Sequence, residues 1–360
     1  MLSASDASSH SRQQSRPLYA PHESYDNDAL QEQHRSLRRR LGLNPWQPVK
    51  AHSDGAEFLL WPRIRALFQE GFSEFLGSMI LTLIYHGTLA QTTLGVSVQS
   101  APGGTSYGSY QSLPWGVGTG VMLGIYVAGD SGSYLNPALT VSNAIWRGLP
   151  FRSVPILIIS QFLGCFVGAG LVYANYVSAI DWYAGDGVRT VPPTPMATAP
   201  IFATYPSSFA PKASQAFSII IPCAVINIVT SALKDDYNNG ISKAGGNFFP
   251  LAMFFLFYSI AIAFGWETGG AVNPALDFSG RLMSNAVGYP NTVWSSGGYY
   301  FWMPLILPFV GAIFGGFLYD LLVFTGPSPI NTPYLGLRKV FRPDLEHQDR
   351  AIKKAEDHEG

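Results

Sequence analysis

The chain has 360 residues, 47% of them hydrophobic and only 12% charged, with a formal net charge of −1. Soluble domains carry about 25% charged residues, so this deficit points to a membrane protein. The near-zero charge excludes a bulk electrostatic partner such as nucleic acid. Cys165 and Cys223 both lie in apolar runs and read as small hydrophobes, not as a disulfide framework or metal ligands.

Residues 1–62 are rich in Ser, Gln, His and Arg and can bury little, so a disordered N-terminal tail is expected. They hold no apolar core of the kind a cleaved signal peptide has. Within them, Arg35-Ser-Leu-Arg38-Arg39-Arg40 reads as a solvated basic face or, more sharply, as a patch for anionic lipid headgroups.

Six apolar segments follow, near 67–90, 112–129, 154–175, 215–232, 249–265 and 302–324. Each approaches the ~20 residues that a spanning helix needs. Two shorter apolar segments, about 136–146 and 273–283, cannot span. Each opens on the same tetrapeptide, Asn136-Pro-Ala-Leu139 and Asn273-Pro-Ala-Leu276. Asn caps a helix, and Pro at the first helical position loses nothing by lacking its N–H. Both copies therefore read as starts of short re-entrant half-helices. Such backbone is tolerated at membrane depth only inside protein or along a water-filled path.

Each half runs span, span, half-helix, span, over about 67–180 and 214–326. Three spans per half is odd, so the halves insert in opposite orientation and their half-helix N-termini meet near the midplane. The stretch 91–111 lacks Lys and Arg, whereas both tails are basic. The positive-inside rule then places both termini in the cytoplasm, including a C-terminal tail over 327–360.

Two converging N-termini bring about half a positive charge each. Asn136 and Asn273 can cap with their carboxamide oxygens and aim NH2 donors at a passing hydroxyl. Neutral solutes are favoured there and cations repelled. The Gly-bearing loops ahead of each half-helix offer carbonyls, from Gly132, Ser133 and Tyr134 on one side and Gly269, Gly270 and Ala271 on the other. Glu74 is a charge inside a span and so a functional candidate, with a proton relay as the sharper reading. His86 reads as a satisfied core histidine, and Gly168, Gly170, Gly315 and Gly316 as close helix–helix contacts. No metal cluster, phosphate-cradling loop or nucleophile–base pair supports an enzyme, and no cofactor is called for.

Over about residues 67–326 the chain resembles the major intrinsic proteins, and among them aquaglyceroporins of fungal type. The resemblance rests on the paired motifs, Glu74-Phe-Leu-Gly77, Leu123-Gly-Ile-Tyr-Val-Ala-Gly129, Gln161-Phe-Leu-Gly164, Phe202-Ala-Thr-Tyr-Pro206 and Pro304-Leu305. It implies an all-α membrane protein with six transmembrane helices and two re-entrant half-helices. It also implies one pore per subunit in a homotetramer, with the plasma membrane as the default location. Pore motifs would be Asn136, Pro137, Ala138, Asn273, Pro274 and Ala275. Glu74 and Gln215 would support the re-entrant loops as acceptors of backbone N–H groups. Asp277 and Arg281 match positions typical of glycerol-conducting members.

The chain departs from the family where the second motif ends. The family has Arg there, and this chain has Leu276. By matching position, the constriction is Val117, Ala261, Gly270 and Leu276, which is wide, apolar and uncharged. A passive channel for water, glycerol, other polyols, urea or peroxide is the first expectation. A gated or non-conducting homologue stands beside it, because a neighbour such as Tyr134 or the 176–213 loop could fill the gap. A secondary transporter is the third.

Overall fold

In the computed structural model, which describes residues 24–43, 60–99, 107–236, 238 and 248–331, the apolar runs are helical and no strand occurs among the described residues. The first repeat consists of α3 (Gln69–Gln99), α4 (Ser112–Ala128), the short α5 (Pro137–Trp146) and α6 (Val154–Ala184). The second consists of α7 (Lys212–Leu233), α8 (Phe249–Thr268), the short α9 (Pro274–Ala286) and α11 (Trp302–Leu322). Before α11 lies α10 (Thr292–Tyr299), which breaks at Ser296, Gly297 and Gly298 and has no counterpart in the first repeat. By length and composition α6, α7, α8 and α11 can each cross a membrane. The apolar α4, at 17 residues, and the 31-residue α3 complete six.

The repeats pack alike. In the first, α3 lies against both α6 and α4; in the second, α7 lies against both α11 and α8. The close approach depends on glycines spaced four apart, so that both fall on one helix face. On α6, Gly164 meets the Phe75 carbonyl, and a Cβ at Gly168 would lie 2.8 Å from the Thr82 Cβ. On α11, Gly311 and Gly315 meet the carbonyls of Ile220 and Ala224 in the same way. Gly170 faces Met283 and Gly316 faces Trp146, so all four glycines singled out in the sequence are contacts. The half-helices close the arrangement: α5 packs on α11 and α6, and α9 on α6 and α11.

The basic stretch before the bundle differs from expectation. Residues 24–41 form α1 (Ser24–Leu41), and α2 (Leu60–Leu67) leads into α3. Arg38 is neither a solvated residue nor a headgroup ligand: it is fully buried. Its guanidinium donates to the Ala66 and Leu67 carbonyls at the end of α2 and pairs with the Glu70 carboxylate. Arg39 and Arg40 remain exposed. The helix stops at Gly42, whose φ of 72° lets the Leu43 N–H return 2.9 Å to the Arg38 carbonyl, and Leu43 is buried. Composition misses this helix because an ion pair and backbone carbonyls, not apolar area, hold it. The remainder of the expected N-terminal tail (1–23 and 44–59) and residues 332–360 of the C-terminal tail lie outside the described residues.

Candidate functional site: a central cavity between two half-helices

Both half-helices start as their sequences require. Asn136 is extended and its Oδ1 accepts from the Ala138 N–H at 2.9 Å; Asn273 does the same for Ala275 at 3.0 Å. Pro137 and Pro274 occupy the first turns. The two ends meet directly. Asn136 Nδ2 donates to the Val272 carbonyl at 3.0 Å, and Asn273 Nδ2 donates to the Leu135 carbonyl at 2.8 Å. Each amide thus commits one of its two N–H bonds to the opposite loop and keeps the other. The physical reason is the junction itself: the carbonyls of Leu135 and Val272 are buried there and must be paired.

The loop before α5 is strained and held. Gly132, Ser133 and Leu135 have φ of 95°, 54° and 51°, a region costly for residues with a Cβ. The fully buried Glu74 fixes it by accepting from the N–H groups of Tyr134 and Leu135, both at 2.8 Å, and from the Ser131 hydroxyl at 2.6 Å. Gln161 adds a fourth donor at 2.7 Å and also reaches the Thr140 hydroxyl. A carboxylate so surrounded by donors is a positioning group.

The second loop is held differently. Gln215 does not accept from it: its Nε2 donates to the Ala210 carbonyl at 2.7 Å, and its oxygen has no partner among the described residues. Gly269 and Gly270, both at positive φ, relieve the turn without a buried carboxylate on its N–H groups. Behind them, Asp277 accepts from the Thr204 N–H at 2.7 Å and pairs with the fully buried Arg281 at 2.7 Å. Arg281 also donates to the carbonyls of Thr204 and Val293. The pair therefore ties α9 to the 199–206 segment, and Arg281 lies away from the lumen.

A cavity of about 350 Å³ runs past the junction. Its wall brings together Val117, Ala261, Gly270 and Leu276 with Asn136 and Asn273, and it carries no charged side chain. A Cβ at Gly270 would meet nothing within 4 Å, so this side of the path is open. Ser133, Tyr134 and Gly269 are also on the wall; Gly132 and Ala271 are not. Ala271 borders a separate void of about 20 Å³ together with His86 and Asp277. His86 is a core residue, 1% exposed, yet its Nδ1 has no partner among the described residues. The void has room for one water beside it.

Sequence reasoning missed two wall residues. Tyr110 Oη donates to the Ala261 carbonyl at 3.0 Å, and Tyr85 Oη reaches the Gly269 carbonyl at 3.5 Å. Both place hydroxyls beside the apolar filter positions. Tyr205 and Pro206 of the long loop line the same end. Their only signal was position: Tyr85 inside the first span, Tyr110 just ahead of the second.

The major intrinsic protein family model matches residues 63–319. The chain is 47% identical over 300 residues to aquaglyceroporin-9 of Botryotinia fuckeliana, an alignment covering 83% of this chain. It spans 63% of that relative's length, which is under two thirds. It is 48% identical over 284 residues to a probable aquaglyceroporin-2 of Gibberella zeae, covering 79% of this chain and 81% of the relative. Among solved structures, the aquaglyceroporin from Plasmodium falciparum superposes with a TM-score of 0.60 at 25% identity, over 71% of this chain and 97% of that one. With paired half-helices meeting at one uncharged cavity, and a family match over most of its length, the chain belongs to the major intrinsic protein family of membrane channels and is not an enzyme.

Proposed function

We propose that this protein is a passive channel for water and small uncharged solutes, glycerol and other polyols first among them. The observation that carries the reading is the wall of the central cavity: two capping asparagines at the junction, apolar side chains and a few hydroxyls elsewhere, and no charge. Each asparagine keeps one amide N–H for a solute hydroxyl. Two half-helix N-termini, worth about half a positive charge each, face any cation that has shed its water. No acid pair of the kind a coupled transporter uses lines this cavity. The names of the fungal relatives agree with glycerol as a solute.

The filter at Val117, Ala261, Gly270 and Leu276 is wide and lacks a cation. Discrimination among polyols by size is therefore weak. Tyr85 and Tyr110 supply the hydroxyls that the filter positions lack. We place the chain in the plasma membrane as a homotetramer, with both termini and the mouth nearest Gly132 in the cytoplasm. Glu74, Asp277 and Arg281 position the loops, and Gln215 fixes the start of α7.

Stopped-flow light scattering on proteoliposomes tests this with water, glycerol and sorbitol. The natural protein passes glycerol and sorbitol, and Leu276→Arg loses sorbitol first. No flux above empty liposomes would reduce the reading to a gated or non-conducting member of the family.

A further inference from the structure

Lys234 follows the last turn of α7, beside the loop that feeds the first half-helix. Its Nζ donates to the Gly132 carbonyl at 3.3 Å. The ammonium also sits 5.4 Å from the Tyr134 ring centroid and 4.8 Å from that of Phe249. Gly132 is not itself on the cavity wall but directly precedes Ser133 and Tyr134, which are. Lys234 lies against Phe249 at the start of α8, about three turns from the filter residue Ala261, so it sits toward the end of the path remote from the filter, with its charge on a carbonyl and two aromatic faces. These are the groups that attract a cation.

No carboxylate forms an ion pair with Lys234 among the described residues, and only the Glu74 carboxylate behind the loop attracts it through space. Asp235 is buried and accepts from the Tyr319 hydroxyl at 2.7 Å. Arg147 and Asp320 pair with each other at 2.6 Å. Glu74 is enclosed behind the loop by its own four donors. Asp236 is exposed to solvent, where screening acts within about 8 Å at physiological salt.

We propose that Lys234 is a specificity-determining residue of the pore: a tethered cation that is held on the Gly132 carbonyl beside the wall residues Ser133 and Tyr134 and repels permeating cations, at the end opposite the uncharged filter. The inference rests on the channel reading above. It adds a charge barrier where the outer constriction has none. Ammonium on a carbonyl takes the position that a partly dehydrated K+ would take. Removing the charge while keeping the stem leaves that carbonyl and both ring faces for a passing ion.

The test uses the full chain in proteoliposomes, with K+ permeability read from a K+ diffusion potential and glycerol flux read in parallel. Lys234→Met keeps the stem, Lys234→Gln keeps a donor for the carbonyl without charge, and Lys234→Arg keeps the charge. The expected result is a rise of about tenfold in K+ permeability for the Met and Gln variants, a step of about one decade in an equilibrium-like barrier, with Arg close to the natural protein. Met and Gln variants as tight to K+ as the natural chain would overturn the proposal. A leak in Met that Gln abolishes would also overturn it, because the hydrogen bond rather than the charge would then be the barrier. Glycerol flux read in parallel separates the two failures: K+-tight Met and Gln variants that still pass glycerol overturn the Lys234 barrier, whereas absence of glycerol flux overturns the channel reading on which it rests.

Discussion

Glu74 shows how one side chain can set the geometry of a pore without touching its lumen. It receives two backbone N–H groups, a hydroxyl and an amide, and it holds Leu135 at a φ of 51°. A buried donor left unpaired costs about 1–3 kcal/mol. Glu74→Ala strands several donors at once and releases a strained loop, so its melting midpoint should fall by at least about 5 °C, on a scale of about 2–4 °C per kcal/mol for a chain of this size. Size-exclusion profiles of heated, detergent-solubilised protein measure it. Glu74→Gln should lose less, since the amide oxygen still accepts while its NH2 faces a backbone donor. A Glu74→Ala variant as stable as the natural chain would contradict the positioning role. Leu276 is the opposite case. It packs against the apolar core, and its meaning lies in the charge it does not bring. For that reason its effect belongs to selectivity, not stability.

At the scale of elements, two kinds of contact hold helices in place, and they differ in how openly the sequence announces them. The Gly164/Gly168 and Gly311/Gly315 pairs are visible as glycines four apart in apolar runs, and each pair carries one helix across another. Gly315→Val forces side-chain atoms onto the Ala224 backbone, an overpacking that costs about 1–3 kcal/mol; the same heated size-exclusion assay should show an earlier loss of the folded peak. The N-terminal α1 was not visible in this way. Its residues are polar, and its anchor is the buried Arg38 on Glu70 and the α2 carbonyls. Only the stop signal was there to read, a basic last turn followed by Gly42 and the buried Leu43. Breaking a buried ion pair by removing one partner costs about 3–5 kcal/mol, more than a polar helix of this length holds by itself. Arg38→Ala should therefore release α1 while the bundle stays folded. Hydrogen exchange would show it as faster exchange over 24–43 with 154–184 unchanged, and unchanged protection of 24–43 would rule out Arg38 as the anchor.

Over the whole molecule, the twofold repeat was legible because one tetrapeptide recurs at the same place in two series of apolar segments, and periodic apolar runs report spans reliably. The six spans, the two half-helices and the capping by Asn136 and Asn273 all followed from that. The bonds between the halves were not legible, since no local pattern tells that an amide will reach the Leu135 or Val272 carbonyl of the opposite loop. Nor did the repeat reveal where its symmetry fails. Glu74 and Gln215 occupy equivalent places, yet the carboxylate serves its loop while the amide donates to Ala210 at the start of its own helix. In the second half, the Asp277–Arg281 pair and two glycines at positive φ take over the work. The asymmetry makes a restoring substitution harmful. Gln215→Glu would put a carboxylate oxygen in place of an amide donor, facing the Ala210 carbonyl 2.7 Å away in a buried site. Burying a charge against an acceptor is unfavourable unless donors turn toward it, and the glycine-built loop offers this position none of the bonds that Glu74 collects. The variant should melt lower than the natural protein, and the double variant Glu74→Gln with Gln215→Glu lower still, with the two losses adding because the two residues lie on different helices and share no partner. If Gln215→Glu instead raised the melting midpoint, the second loop would have to swing onto the new carboxylate, and the two halves would be supported alike after all.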